Sequence, residues 1–345
     1  MTNKNTSLKN KPFLLHPTGK DYLWGGERLN TDFHKNIHLS PLAETWECST
    51  HPDGLSTVAS GEHTGLTLRD VLRANPSLYG RHPLPDGELP ILVKLIDAKA
   101  DLSVQVHPDD QYAKEHENGS LGKTEMWYVL DASPHAHLIY GFTHRITKEK
   151  LQESLTQGSV EKYLQKVPIQ KDDVFYIEAG TVHALGAGAL VAEIQENSNL
   201  TYRLYDYGRV GTDGKQRELH IDKALAVANL ESSAEPRQPL RLLRYRKGYA
   251  TELLCRCKYF QVERLLLNTL LREHAVDYPA TTESFQVLLC VDGQGTLQYQ
   301  DNTASGANRM NYSNLPFKAG DCIFLPADSV EMKLHGQSQL LRVSC

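Results

Sequence analysis

Apolar residues in this chain come in short bursts, continuous or alternating, and rarely at the three-to-four-residue spacing of an amphipathic helix. Pro90-Ile91-Leu92-Val93-Lys94-Leu95-Ile96-Asp97 is a continuous run broken by one lysine, and Leu102-Ser103-Val104-Gln105-Val106-His107 follows it closely, so both predict strands. Residues 126–130, 173–177 and 189–195 read the same way. Helical spacing opens at Thr67 and again over 147–155, where Thr147 precedes a charged first turn. Between about 12 and 60, aromatic residues set among Gly and Pro, as in Leu23-Trp24-Gly25-Gly26 and Glu44-Thr45-Trp46-Glu47, predict short extended pieces.

The polar, Pro-containing stretch 231–239 has the composition of a linker, and a second set of strands follows: 259–265, 285–291 with a turn at Asp292-Gly293, and 317–327. Residues 317–327 echo 172–184, each carrying Asp, aromatic and turn residues in the same order, so the chain reads as two copies of one β-barrel. The expected division is 1–235 and 236–345, with a helical insertion outside the first barrel at about 145–168. The polar residues 1–11 read as a frayed arm.

Composition narrows the function. A chain of 345 residues has ample material for a core, and 40% hydrophobic with 23% charged residues is ordinary for a soluble protein. No apolar run reaches membrane-spanning length, and no apolar segment backs the basic N-terminus as a secretory signal would. A formal net charge of -5 argues against a nucleic-acid surface. The six cysteines are scattered, which fits reduced thiols in the cytoplasm.

The chemistry concentrates before residue 235. Gln105 and His107 are two apart, so on a strand their side chains leave the same face. Glu125 and His183 follow, and the four together could hold one small ion; the donor set suits Zn²⁺ and equally Fe²⁺, Mn²⁺ or Co²⁺. Lys123, two before Glu125, would point to the same side, where an ammonium suits a phosphate or an oxyanion. Separate surface roles for these residues are the plainer alternative for each, and the number of candidates together argues for a shared site. The second copy has no histidine where His183 stands, and its His274 and His335 lie outside any comparable element. Glu193 and Arg203 frame a polar segment, Arg203 alternating like a surface position, while Trp24 and Trp46 could line a sugar pocket or simply pack.

The Gln-x-His-Pro-x-Asp element at 105–110, the Lys-x-Glu at 123–125, His183-Ala184, residues 193–209, Tyr22-Leu23-Trp24-Gly25-Gly26 and Glu44-Thr45-Trp46-Glu47 resemble the type I mannose-6-phosphate isomerases in their short bacterial form, over nearly the whole chain. The resemblance implies a mainly β fold of two cupin-like barrels of the jelly-roll type, and one Zn²⁺ per chain held by His107, Glu125, His183 and Gln105. It implies Arg203, Lys123 and Glu193 as catalytic residues, and Lys123, Arg203, Trp24 and Asn199 as contacts to a sugar phosphate. The reaction would be reversible exchange of mannose 6-phosphate and fructose 6-phosphate through a cis-enediol, by a monomer or homodimer with no nucleic-acid or membrane partner. Two positions depart from the family pattern: Asn199 stands where many relatives carry Asp, and Glu178 where Pro is usual. Asn199 sustains one alternative, a catalytically impaired sugar-phosphate-binding protein with a regulatory role; an iron-dependent oxygenase built on two histidines and a carboxylate is another.

Overall fold

Alternation of side chains decides what each strand of the first unit contributes. In Ile91–Asp97, Ile91, Val93 and Leu95 enter one apolar cluster and Ile96 another, so Lys94 shares the face of Ile96. Glu125–Ala132 repeats the pattern with Met126, Tyr128 and Leu130 against Trp127 and Val129, and Ala189–Glu196 with Leu190, Ala192 and Ile194 against Ala189 and Val191. The outward set packs on the C-terminal half of the chain, beside Val262, Phe324, Leu341 and Val343. The inward set meets a second sheet through Leu138 and Leu185.

The computed structural model describes residues 10–211, 214–239, 241–270, 275–279, 281–301 and 311–345. It is mainly β. A six-stranded antiparallel sheet runs Val174–Ile177, Glu125–Ala132, Ala189–Glu196, Ile91–Asp97, Glu44–Cys48, Thr18–Lys20. A five-stranded antiparallel sheet faces it in the order Tyr202–Tyr205, Val104–Val106, His183–Leu185, His137–Phe142, Leu164–Pro168. The pair form a jelly-roll-type unit of two open sheets. Helices Lys148–Thr156 and Ile221–Val227 cover the outer side of the five-stranded sheet, where Leu151 and Leu225 pack with Val104, Val106 and Ala184.

A ten-stranded sheet curls through the second half around its own core of Leu265, Leu288, Leu297, Phe317, Ile323 and Leu340. It recruits the strand Phe13–His16, which pairs with Cys322–Leu325, Phe13 opposite Phe324. The N-terminal strand therefore crosses the 1–235 boundary expected from the sequence. The expected arm at 1–11 lies outside the described residues up to 9; Asn10 bridges Ser329, and Lys11 pairs with Asp301 at 2.7 Å. His274 also lies outside the described residues.

Other expectations are corrected locally. The helix opened by Thr147 forms over Lys148–Thr156, Thr147 accepting from the Lys150 amide at 3.2 Å, but Leu164–Pro168, placed in the insertion, is an edge strand. Asp292-Gly293 is no hairpin turn: the strand runs on from Gln286 to Gln300 with a bulge between Cys290 and Asp292, Gly293 supplying φ +73°. The stretch 231–239 is strapped to the first unit by bridges from Ser232 to Phe142 and from Arg237 to Phe175. The internal echo has a physical basis. Asp173 accepts from the Gln170 amide at 3.0 Å and Asp321 from the Lys318 amide at 2.8 Å, each after a left-handed residue, Asp172 (φ +74°) or Gly320 (φ +97°).

Candidate metal centre and its pocket

Strand register brings the candidate ligands together. In the five-stranded sheet His183 pairs with Gln105 and Arg203 pairs with Gln105 on its other side, so the three form one row on the inward face. In the six-stranded sheet the row is Trp46, Lys94, Glu193, Trp127 and Phe175. Glu125 lies two before Trp127 and therefore on the same side.

After His107 the chain must leave the sheet, and Asp109 arranges this by accepting from the Tyr112 amide at 2.8 Å as the cap of helix Asp110–His116. Before His183 a turn has Thr181 N donating to Glu178 O at 3.0 Å and Gly180 at φ +89°, so Glu178 forms this turn without a proline. Gly180 N also donates to His107 O at 2.8 Å, which ties the two histidine segments together.

His107, Glu125 and His183 are buried, and their ligand atoms lie within 4.8 Å of one another. His107 Nε2 is 3.2 Å from Glu125 Oε1, and His183 Nε2 is 3.7 Å from Glu125 Oε2. Each imidazole donates from Nδ1 to a backbone carbonyl, His107 to Leu200 at 2.7 Å and His183 to Thr181 at 2.8 Å. That leaves both Nε2 atoms unprotonated, with their lone pairs free beside the carboxylate. Glu125 Oε2 is buried with no hydrogen-bond partner, an orphan acceptor that a divalent cation would satisfy. Two imidazoles and a carboxylate match the donor set of Zn²⁺, so these residues fit the ion. The Gln105 amide lies 3.5 Å from His183 Nε2, within reach of the same point.

Electrostatics agree with this arrangement. Burial pushes His107 down to about 3, the Lys123 ammonium adding to the effect, and burial also lowers His183, so both rings are neutral. Burial opposes the charge on Glu125, but Lys123 and His107 outweigh it and hold the carboxyl well below its usual range. Lys123 Nζ donates to Glu125 Oε1 and lies 3.1 Å from His107 Nε2.

Beside the triad lies a cavity of about 290 Å³, bordered by Trp24, Lys94, Gln105, Lys123, Glu193, Asn199, Arg203 and Arg217. Apart from Trp46, every residue expected at the site is thus in the triad or on this wall. Trp46 is not on the wall; its indole donates to Glu44, which is, at 2.8 Å. Sequence reasoning missed Lys94, Glu44 and Arg217. Lys94 Nζ is 3.1 Å from Glu193 Oε2, and Trp127 Nε1 donates to Glu193 Oε1 at 2.8 Å. Burial opposes the Lys94 charge, yet Glu193 and Glu44 raise its pKa; burial and then the Glu125 charge raise Glu193. A lysine flanked on both sides by apolar residues of a buried strand was the available signal, since a buried ammonium requires a partner. At the mouth, Arg203 donates to Glu218 O at 2.8 Å and Arg217 to Asp206 Oδ2 at 2.8 Å. A larger groove of about 1060 Å³ lies in the second unit, away from the one cluster of metal-type donors found among the described residues.

Residues 13–163 match the family model of the phosphomannose isomerase type I catalytic domain. Mannose-6-phosphate isomerase ManA of Bacillus subtilis is 35% identical over 336 residues, 97% of this chain and 99% of that protein. The chain belongs to the type I phosphomannose isomerases. A mannose-6-phosphate isomerase of Streptococcus mutans is 36% identical over 73% of this chain and 78% of its own length. The crystal structure of the Bacillus subtilis mannose 6-phosphate isomerase superposes with a TM-score of 0.85 at 35% identity, covering 97% of this chain and 99% of that one. The two-unit cupin fold is therefore the fold of a family member. No helix among the described residues is long and apolar enough to cross a membrane.

Proposed function

We propose that this family member interconverts D-mannose 6-phosphate and D-fructose 6-phosphate in the cytoplasm, with one Zn²⁺ held by His107, Glu125, His183 and Gln105. The observation that carries the reading is the buried triad with its orphan Glu125 oxygen, opening on a cavity lined by lysines and arginines. When bound, the ion supplies Lewis acidity toward the oxygens at C1 and C2 of the open-chain sugar.

The chain's own residues do the rest. Arg203 and Arg217 place two guanidinium groups on the cavity wall; Arg217 holds the phosphate, and Arg203, in one row with Gln105 and His183, stabilises negative charge as it develops on the sugar oxygens. Lys123 stands next to the triad and donates to the same oxygens. Glu193 takes the proton from C2 of the aldose and returns it to C1, through a cis-enediol, while O1 gains a proton and the O2 hydroxyl gives one up, an exchange in which the Lys123 ammonium is the donor to O1 and its amine the acceptor from O2. Burial and the charge of Glu125 raise its basicity, while Trp127 and Lys94 fix its orientation. Trp24 closes the apolar side. Asn199 is exposed on the rim and borders the cavity, so its departure from the family pattern leaves the buried triad, Lys123 and Glu193 in place, and the catalytically impaired sugar-phosphate-binding protein stays the alternative that the assay below decides. The division into a catalytic unit, 1–235, and a second unit, 236–345, goes with this reading, the strands Phe13–His16 and Thr57–Val58 of the ten-stranded sheet excepted.

The test is a coupled assay of zinc-loaded protein with mannose 6-phosphate, with and without a chelator. Formation of fructose 6-phosphate that the chelator abolishes is expected; bound zinc with no turnover would overturn the proposal.

A further inference from the structure

Two loops form the rim of the pocket. Residues 197–201 join strand Ala189–Glu196 to strand Tyr202–Tyr205, and they are built into the site. Leu200 O accepts from His107 Nδ1 at 2.7 Å, while Asn199 and Thr201 border the cavity. The loop is anchored below by Asn197 N on Pro90 O at 3.0 Å, Ser198 Oγ on Leu121 O at 3.0 Å and Gln195 Nε2 on Ser198 O at 2.6 Å. At its exposed crest Asn199 Nδ2 donates to Asp53 Oδ2 at 2.8 Å.

Asp53 belongs to the loop after strand Glu44–Cys48, and that loop is fixed independently. The Asp53 amide donates to His51 Nδ1 at 3.1 Å, Gly54 N donates to His51 O at 3.0 Å, and Lys20 Nζ reaches the Asp53 carbonyl. Burial lowers the pKa of His51, which keeps its ring neutral and able to accept. His51 meets Trp46 edge-on at 5.7 Å, and a Cβ on Gly54 would stand 2.7 Å from a Trp46 ring carbon. The Asp53 carboxylate is therefore presented by a loop seated on Trp46, whose indole in turn donates to Glu44 on the cavity wall.

We propose that Asp53 is a positioning residue of this site: acting through the Asn199 amide, its carboxylate clasps the 197–201 loop over the pocket. The clasp holds Thr201 on the cavity wall and the Leu200 carbonyl on His107. Its chemistry explains the residue types. A carboxylate accepts only, so position 199 must donate, and an amide does. An aspartate at 199 would set two carboxylates at hydrogen-bond distance, where like charges repel. The inverse pair, an amide at 53 and a carboxylate at 199, could make the same bond in the opposite sense.

The kinetic consequence rests on the isomerase reading; the structural one does not. The experiment compares Asp53→Ala, Asn199→Asp and the double exchange Asp53→Asn with Asn199→Asp. Each single variant is expected to raise KM for mannose 6-phosphate about tenfold, the loss of one charge-assisted hydrogen bond, with a smaller change in kcat. Each should also speed amide hydrogen exchange across 197–201. The double exchange should return both to within about twofold of the parent, which a merely misfolded loop would not do. A double variant as impaired as Asn199→Asp, or an Asp53→Ala protein with unchanged KM and exchange, would overturn the clasp. If the parent fails to turn over mannose 6-phosphate, the isomerase reading falls, and exchange with its rescue still decides the clasp.

Discussion

Lys94 Nζ lies 3.1 Å from Glu193 Oε2 in the interior of the first unit, with Glu44 Oε2 3.7 Å away on its other side. One ammonium thus serves two buried carboxylates. Replacing it with a neutral side chain of similar length would leave both without a counter-charge. Lys94→Met is expected to destabilise the protein by about 3–5 kcal/mol in urea unfolding and to remove most of the activity. Unchanged stability would show that one of the carboxylates is protonated at neutral pH.

The triad makes a prediction about metal content rather than rate. Glu125→Ala and His183→Ala should each weaken zinc binding by more than about a hundredfold, measured by competition with a chromophoric chelator. Gln105→Ala should cost less, because its amide reaches the site at 3.5 Å from an imidazole already fixed by the Thr181 carbonyl. An unchanged zinc affinity in Gln105→Ala would remove Gln105 from the proposed ligands.

Arg203→Ala should separate chemistry from metal binding. Bound zinc is expected to be unchanged while kcat/KM falls by about a hundredfold to a thousandfold. Arg203→Lys should recover little of this, since the guanidinium uses its fork to reach Ser103 Oγ and the Glu218 carbonyl together.

Glu196 predicts a pH dependence of stability. Burial, with the charge of Asp110 adding to it, raises this carboxyl to about 8. The unfolded chain releases the proton near the ordinary 4.5, whereas the folded chain keeps it to about 8. The folded state holds the extra proton in that interval, so this contribution to stability is full below 4.5, declines as pH rises and is gone by about 8. Glu196→Gln can still accept from the Thr124 amide, a bond of 2.8 Å in the parent, and should lose the decline. Urea midpoints measured from pH 4.5 to 8 decide it.

Much of the site was legible because its residues recur two apart, Gln105 with His107 and Lys123 with Glu125, although only Gln105 and Glu125 fall inside strands, Val104–Val106 and Glu125–Ala132. In extended backbone that spacing keeps two side chains on one side, and here it holds just past the strand ends. Lys94 escaped because its strand was read for its apolar neighbours, although a charge among residues that are all buried was itself the clue. Arg217 sits on a loop whose position nothing local determines. The bulge between Cys290 and Asp292, with left-handed Gly293 just after it, mimicked a hairpin signal, since hairpin turns too use a left-handed residue. Asp53 lies 146 residues from Asn199, and no periodicity links them.

The pairing of Phe13 with Phe324 also governs the order in which the molecule can be made. A ribosome releases the strand Phe13–His16 long before its partner Cys322–Leu325 exists. At about 5–20 residues per second the wait is roughly 15–60 s. Through that time an apolar strand edge stays open while the first unit, whose sheet partners all lie between Thr18 and Tyr205, can already close. Losing even the last few strands of the chain would therefore strand its beginning as well.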